Sequence, residues 1–142
     1  MKSYLQKHDN IKYSDNWSTP KEIYNLYVNE LGYHDPCELY SKSTVLKKTI
    51  FEDKTLIDDN MFINPPYSDI DNWVDWAIYH SNKYKKHIVL LIPSRTDTKY
   101  FHKLLNHGCD LEFIKGRLKF GGLKQSAPFP SVLVHLREEG KK

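Results

Sequence analysis

A short run in the middle of the chain, Asn64-Pro65-Pro66-Tyr67, joins residue types that can do one kind of chemistry together. An amino group attached to an aromatic ring is a weak nucleophile, because its lone pair is shared with the ring. A catalyst must hold that nitrogen and let it become tetrahedral, which calls for hydrogen-bond acceptors rather than a strong base. The Asn64 side-chain oxygen and the Pro65 carbonyl can each accept one amino hydrogen, and Pro65 and Pro66 stiffen the turn that presents them. Tyr67 offers a flat face for stacking, worth about 1–3 kcal/mol per base. With the nitrogen aimed at an electrophilic methyl carbon, transfer is an in-line displacement in which positioning supplies much of the acceleration and no metal is needed. The plain alternative for the same four residues is a strand-ending turn that leads into a capped helix.

Such a turn has to be carried by regular elements. Thr19-Pro20-Lys21-Glu22 predicts a capping box with proline at the first helical position, followed by Ile23, Leu26, Tyr27 and Leu31 on one face and a stop at Gly32. Tyr33 to Cys37 predicts a short strand that runs into a loop at Asp35-Pro36-Cys37. Residues 44–51 hold β-branched and apolar types without clean alternation. Met61-Phe62-Ile63 predicts a buried strand closed by the Asn64 turn. Ser68 then caps a helix in which Ile70, Trp73, Val74, Ala77 and Ile78 form the core-facing stripe, with Trp73 and Trp76 as packing residues. His87 to Ile92 reads as a strand, and Asp97 as the cap of a helix that buries Tyr100, Phe101, Leu104 and Leu105 and stops at Gly108. Leu111 to Ile114 and Val132 to Leu136 add two strands that close the sheet as a hairpin-like edge.

Strands alternating with amphipathic helices predict an α/β fold, a compact open mostly parallel sheet flanked by helices. Ligands in such sheets bind beyond the carboxyl ends of the strands. This selects three loops for one rim: Asp35 to Cys37, Asn64 to Tyr67, and Pro93 to Asp97.

With 142 residues, the chain is expected to form a single domain over 17–138, after a flexible lead-in over 1–16 and before a polar tail over 139–142. A 39% hydrophobic and 27% charged composition with ten Tyr and three Trp is that of a folding globular chain rather than a disordered one. The longest apolar run, Ile88 to Pro93, is far too short to span a bilayer, so no membrane partner and a cytoplasmic location are expected. Cys37 and Cys109 lack paired spacing and the seven His show no ligand spacing, so neither a disulfide framework nor a metal site is expected. The net charge of +3 excludes little. Its distribution is more telling: Asp53, Asp58, Asp59, Asp69, Asp71 and Asp75 load the middle with negative charge, whereas Lys115, Arg117, Lys119 and Lys124 form a stretch without acids. Phe113, Phe120 and Phe129 interleave with this basic stretch, a pattern suited to a loop laid on a nucleic-acid backbone, although basic residues also serve as a plain solvated face. Arg95 suits a phosphate contact or an ion pair with one of the aspartates.

Six stretches in order carry a family resemblance: Trp17-Ser18-Thr19-Pro20, Asp35-Pro36-Cys37, Phe62-Ile63-Asn64-Pro65-Pro66-Tyr67-Ser68, Leu91-Ile92-Pro93-Ser94-Arg95-Thr96-Asp97-Thr98, Ile114-Lys115-Gly116-Arg117-Leu118-Lys119-Phe120, and Pro128-Phe129-Pro130-Ser131. From about Trp17 to Leu136 the chain resembles the phage-type DNA N-6-adenine methyltransferases, related to the Dam enzymes. The resemblance implies a Rossmann-like methyltransferase fold and S-adenosylmethionine as methyl donor, within a bacterial cell and of phage or prophage type. It also implies that Trp17, Thr19, Pro20, Asp35, Pro36 and Cys37 surround the donor, that Asn64, Pro65, Pro66 and Tyr67 hold an adenine extruded from DNA, and that DNA is the partner of Arg95, Lys115, Arg117, Lys119 and Lys124. The chain departs from many methyltransferases in its first loop, where Glu38-Leu39-Tyr40-Ser41 contains no glycine. It has no large target-recognition insert either, so any sequence preference falls to Gly116 to Phe129 and implies broad methylation or a very short site. Two alternatives stay open: the same transfer to an amino group of RNA or protein, and a catalytically inactive methyltransferase-like module that acts by occupying DNA or a protein.

Overall fold

Among residues 18–37, 58–120 and 126–137, which the computed structural model describes, the chain runs through eight segments in order. These are α1 (Lys21–Tyr24, continued as a π-helix over Asn25–Glu30), β1 (Met61–Ile63), a 3-10 turn (Tyr67–Asp69), α2 (Ile70–Tyr84), β2 (Ile88–Pro93), α3 (Lys99–His107), β3 (Asp110–Phe113) and β4 (Ser131–Leu136). The strand expected at 44–51, the lead-in over 1–16, the tail over 139–142, the glycine-free loop over 38–41, Trp17 and Lys124 lie outside the described residues.

The fold class is α/β, but the sheet is mixed rather than mostly parallel. Its described strands lie in the order β1-β2-β4-β3. β1 pairs with β2 in parallel, while β4 is antiparallel to both β2 and β3. The reason lies in the connections: a helical crossover returns the chain parallel, whereas the expected hairpin-like closure brings β4 back antiparallel, and β4 then inserts beside β2. β2 is buried along its full length. Ile88, Leu90 and Ile92 join the cluster under α2 and α3, with Trp73, Phe101 and Leu104. Val89 and Leu91 face the other way, onto Tyr27, Phe120 and Phe129. The side-chain period of two thus feeds two cores, one on each face of the sheet.

Several boundaries differ from the sequence expectation for local reasons. Pro20 stands at the N-cap of α1 without a side-chain cap, and its carbonyl accepts from the amides of Ile23 and Tyr24. The Thr19 capping box therefore does not form. Leu26 and Leu31, expected inside, are 43% and 54% exposed. The widened π-turn, in which the Leu31 amide donates to the Leu26 carbonyl at 3.0 Å, re-phases the helix so that Tyr27 carries the buried face and stacks on Phe62 at 5.4 Å. Gly32 ends the segment at φ +75° as expected. The strand expected over Tyr33 to Cys37 reduces to one parallel bridge, His34 to Met61. Ser68 is exposed and does not cap α2. Asp69 precedes that helix and accepts from the Asn72 side chain. Thr98, not Asp97, caps α3, its hydroxyl accepting from the Phe101 amide at 3.4 Å. Leu105 is 43% exposed while Tyr100, Phe101 and Leu104 are buried. Trp73 and Trp76 are packing residues, both buried.

A polar chain crosses the sheet at the amino end of β2. The Tyr33 hydroxyl bonds His87 Nδ1 at 2.6 Å, His87 Nε2 bonds His135 Nδ1 at 3.1 Å, and His135 Nε2 reaches Glu112 Oε1 at 3.1 Å. Burial, with Arg137 and His135 adding and Asp110 opposing, lowers the His87 pKa to about 4. The unfolded chain therefore binds more protons between about pH 6.5 and about pH 4, so the stability that His87 contributes is complete above that window and is lost on acidification through it. For a partly exposed group this amounts to on the order of 1 kcal/mol after solvent screening. In thermal melts, wild-type protein is expected to lose Tm between pH 7 and pH 4.5 more steeply than His87→Gln. Parallel slopes for the two proteins would refute the assignment.

Candidate active site

Strand direction decides which loops meet. β1 and β2 are parallel, and the His34 bridge is parallel as well, so residues following His34, Ile63 and Pro93 emerge on one rim, as expected. The antiparallel β4 adds what the sequence pattern did not signal. Ser131 pairs with Pro93, and the Ser94 amide donates to the Pro130 carbonyl at 3.0 Å. β4 therefore starts where β2 ends. The residues before it, including Phe129, lie on the same rim as the Asn64 turn. β3 ends there too, with Phe113 paired to Val132 and the Ile114 amide donating to the Ser131 carbonyl at 3.3 Å. The segment that carries Lys115, Arg117 and Lys119 leaves from this edge.

At the centre, Pro65 and Pro66 are buried and Asn64 is half-buried, so the turn is held by its own prolines against the core. Asn64 Nδ2 donates to Thr19 Oγ1 at 3.0 Å, across 45 positions of sequence, and the amide oxygen Oδ1 is buried. On the other side the Asn64 backbone amide faces the buried Cys37 thiol. Asp35 Oδ1 accepts from the Cys37 amide at 3.1 Å, which folds Asp35-Pro36-Cys37 into a turn. Burial, with Asp35 adding, pushes the Cys37 thiol well above its usual pKa against a smaller opposing pull from the Asn64 amide. Cys37 is thus a neutral thiol and not a thiolate nucleophile.

Tyr67 packs against both core clusters, and its ring meets Phe129 edge-on at 5.5 Å. Its hydroxyl is buried without a hydrogen-bond partner among the described residues. Burial, with Tyr100 adding and Arg95 opposing, holds that hydroxyl far above the usual phenol range, so Tyr67 remains protonated and is available as ring and donor, not as base. Tyr100 is tied back to the Pro93 carbonyl at 3.1 Å. The Arg95 guanidinium lies 5.7 Å from the Phe129 ring centroid, on an otherwise exposed side chain. Lys115, Arg117 and Lys119 are exposed, and Gly116 between them has φ +76°, a conformation that favours glycine.

Of the residues picked out in the sequence, the structure brings together Thr19, Cys37, Asn64, Tyr67 and, through Phe129, Arg95. Phe129 links Tyr67 to Arg95; the sequence marks Phe129 in the Pro128-Phe129-Pro130-Ser131 stretch but not its place beside Tyr67, which depends on the register of β4 against β2. Among the described residues, no three His, Cys, Asp or Glu side chains gather to hold a metal ion, and no helix is long and apolar enough to cross a membrane.

Comparison with known proteins gives one family. A family model described as DNA N-6-adenine-methyltransferase (Dam) matches residues 6–137, most of the chain. No curated protein and no solved structure matches.

Proposed function

This chain belongs to the Dam family of DNA N-6-adenine-methyltransferases, and we propose that it transfers a methyl group from S-adenosylmethionine to the exocyclic amino nitrogen of adenine in DNA, on a Rossmann-like domain. The observation that carries this proposal is the Asn64 amide. Its nitrogen end donates to Thr19 at 3.0 Å, and its oxygen end and the Pro65 carbonyl are proposed as acceptors for the two hydrogens of an aromatic amine. The two buried titratable groups beside the turn, the Cys37 thiol and the Tyr67 hydroxyl, stay neutral near neutral pH. Grip by acceptors rather than removal of a proton by a base is the chemistry this environment suits.

Thr19, which precedes Pro20, accepts from the Asn64 side-chain amide, and the Asn64 backbone amide faces Cys37, the last residue of the Asp35-Pro36-Cys37 turn. The stretches 18–20 and 33–37 contain one carboxylate and no Lys or Arg. Such a donor set suits a cationic, unphosphorylated nucleoside better than a nucleotide cofactor, whose phosphates call for cationic side chains. S-adenosylmethionine, when bound, supplies an electrophilic methyl group. Trp17 belongs to the same proposed donor site on sequence grounds. On the acceptor side Tyr67 supplies the stacking face for a base extruded from the duplex, and Arg95, Lys115, Arg117, Lys119 and Lys124 supply positive charge for the backbone.

The direct test is incorporation of labelled methyl from S-adenosylmethionine into DNA, RNA and protein in parallel, followed by mapping of the modified bases. The expected product is N-6-methyladenine in DNA. Label in RNA or protein alone would move the acceptor. DNA retardation on a gel without donor binding or label would identify a binding module instead.

A further inference from the structure

Thr19 lies at the start of α1, yet it does nothing for that helix. Pro20 occupies the N-cap, and no side chain caps α1. The Thr19 hydroxyl instead accepts from Asn64 Nδ2 at 3.0 Å, and the side chain is half-buried beside the buried Pro20. An Asn amide has two ends of opposite polarity on a rotor with a broad torsional profile. If the NH2 end faced an incoming amine, donors would meet donors. If the amide plane wandered, the oxygen would sit at the wrong angle for an amine hydrogen. Both errors would lower the rate without removing any residue from the turn.

We propose that Thr19 is a positioning residue for methyl transfer: its hydroxyl, bonded to the Asn64 amide, locks the plane in which that amide presents its oxygen end to the substrate amine. This rests on the proposed adenine N-6 transfer at Asn64. A threonine hydroxyl can also turn and donate to a flipped amide, so the amide plane is held in either case. The amine, which brings hydrogens to the contact, then selects the oxygen end. The prolines at 65 and 66 fix the backbone of the turn but leave the Asn64 side-chain torsions free, so a contact from outside the turn is needed to set them. The segment carrying Thr19 is also proposed to flank the methyl donor. Such a link would bring the amide grip and the donor site to a common geometry.

The test compares Thr19→Val, which keeps shape and removes the hydroxyl, with Thr19→Ser, which keeps the hydroxyl. For Thr19→Val, kcat measured with saturating S-adenosylmethionine and DNA is expected to fall about tenfold, the order expected for one lost hydrogen bond. The KM for DNA is expected to change by less than about twofold, because ground-state binding of the base does not depend on the amide angle, and kcat at donor saturation is the diagnostic whatever the change in Kd for S-adenosylmethionine, whose proposed site Thr19 also borders. Thr19→Ser is expected to recover kcat to within about threefold. A merely structural threonine would instead show the loss in melting temperature with kcat of the folded fraction intact. Unchanged kcat in Thr19→Val, or a Thr19→Ser variant as slow as Thr19→Val, overturns the proposal, as does a loss confined to donor affinity. Asn64→Ala separates the levels. If Asn64→Ala abolishes transfer while Thr19→Val is normal, only the positioning role fails, whereas wild-type protein that methylates no adenine removes the function on which it rests.

Discussion

Asn64→Ala is expected to lower kcat by about 10²–10³-fold on adenine-containing DNA while donor affinity and fold are preserved. The size follows from what the side chain is proposed to do. Its oxygen meets the amine most strongly when the nitrogen has become tetrahedral and its hydrogens carry positive charge. The contact is therefore worth more in the transition state than in the ground state, and its loss appears in kcat rather than in KM. Pre-organised contacts of this kind cost about 3–4 kcal/mol when deleted. The structural cost is smaller. Asn64 is half-buried, and the Thr19 hydroxyl that accepts from its side chain is itself half-buried. Unfolding free energy should therefore fall by only about 1 kcal/mol. Single-turnover methylation and a thermal melt on the same preparation separate the two. Undiminished turnover in Asn64→Ala would remove the amide from the chemistry altogether.

The turn and its strand were legible because they are local. Met61-Phe62-Ile63 is wholly apolar, and Asn64-Pro65-Pro66 cannot continue a strand. The buried stripe of α2 and the stop signals at Gly32 and Gly108 follow equally local rules. Caps proved less legible: Thr19, Ser68 and Asp97 each have a capping side chain, and none of them caps its helix. For Thr19 the reason is visible, since its hydroxyl is bonded to Asn64. For α3 the competitor sits one residue away, at Thr98. The inward placing of Leu26 and Leu31 failed because a π-turn changes the angle per residue, which an apolar pattern of period 3.6 does not register. Least legible was pairing at long range. Alternating strands and helices favour a parallel sheet, and the antiparallel pairing of β4 with β2 and β3 makes this one mixed. The register of β4 against β2 also brings Phe129 to Tyr67, so the stretch 128–131 was marked in the sequence while the contact it makes is created by tertiary pairing.

Tyr67→Ala is expected to raise the KM for DNA by about 10–100-fold, with a smaller effect on kcat, in line with a stacking contact worth about 1–3 kcal/mol per base. An adenine drawn out of a duplex gives up its stacking neighbours at a cost of a few kcal/mol. A ring in the pocket returns part of this, and most of the return is already present when the base is bound. Because Tyr67 packs between two core clusters and edge-on to Phe129, the alanine variant also loses stability, by about 2–4 kcal/mol if the space does not collapse. Activity must then be read well below its melting temperature. Tyr67→Phe removes that ambiguity. It keeps the ring and its packing but deletes a hydroxyl that is buried without a partner among the described residues, so stability is expected to stay level or rise, by up to about 1–3 kcal/mol. If ring stacking is the function, Tyr67→Phe methylates with near wild-type KM while Tyr67→Ala does not. A Tyr67→Phe variant as impaired as Tyr67→Ala would instead assign the work to the hydroxyl, as a donor waiting for an acceptor on the bound base, and the stacking role would be lost.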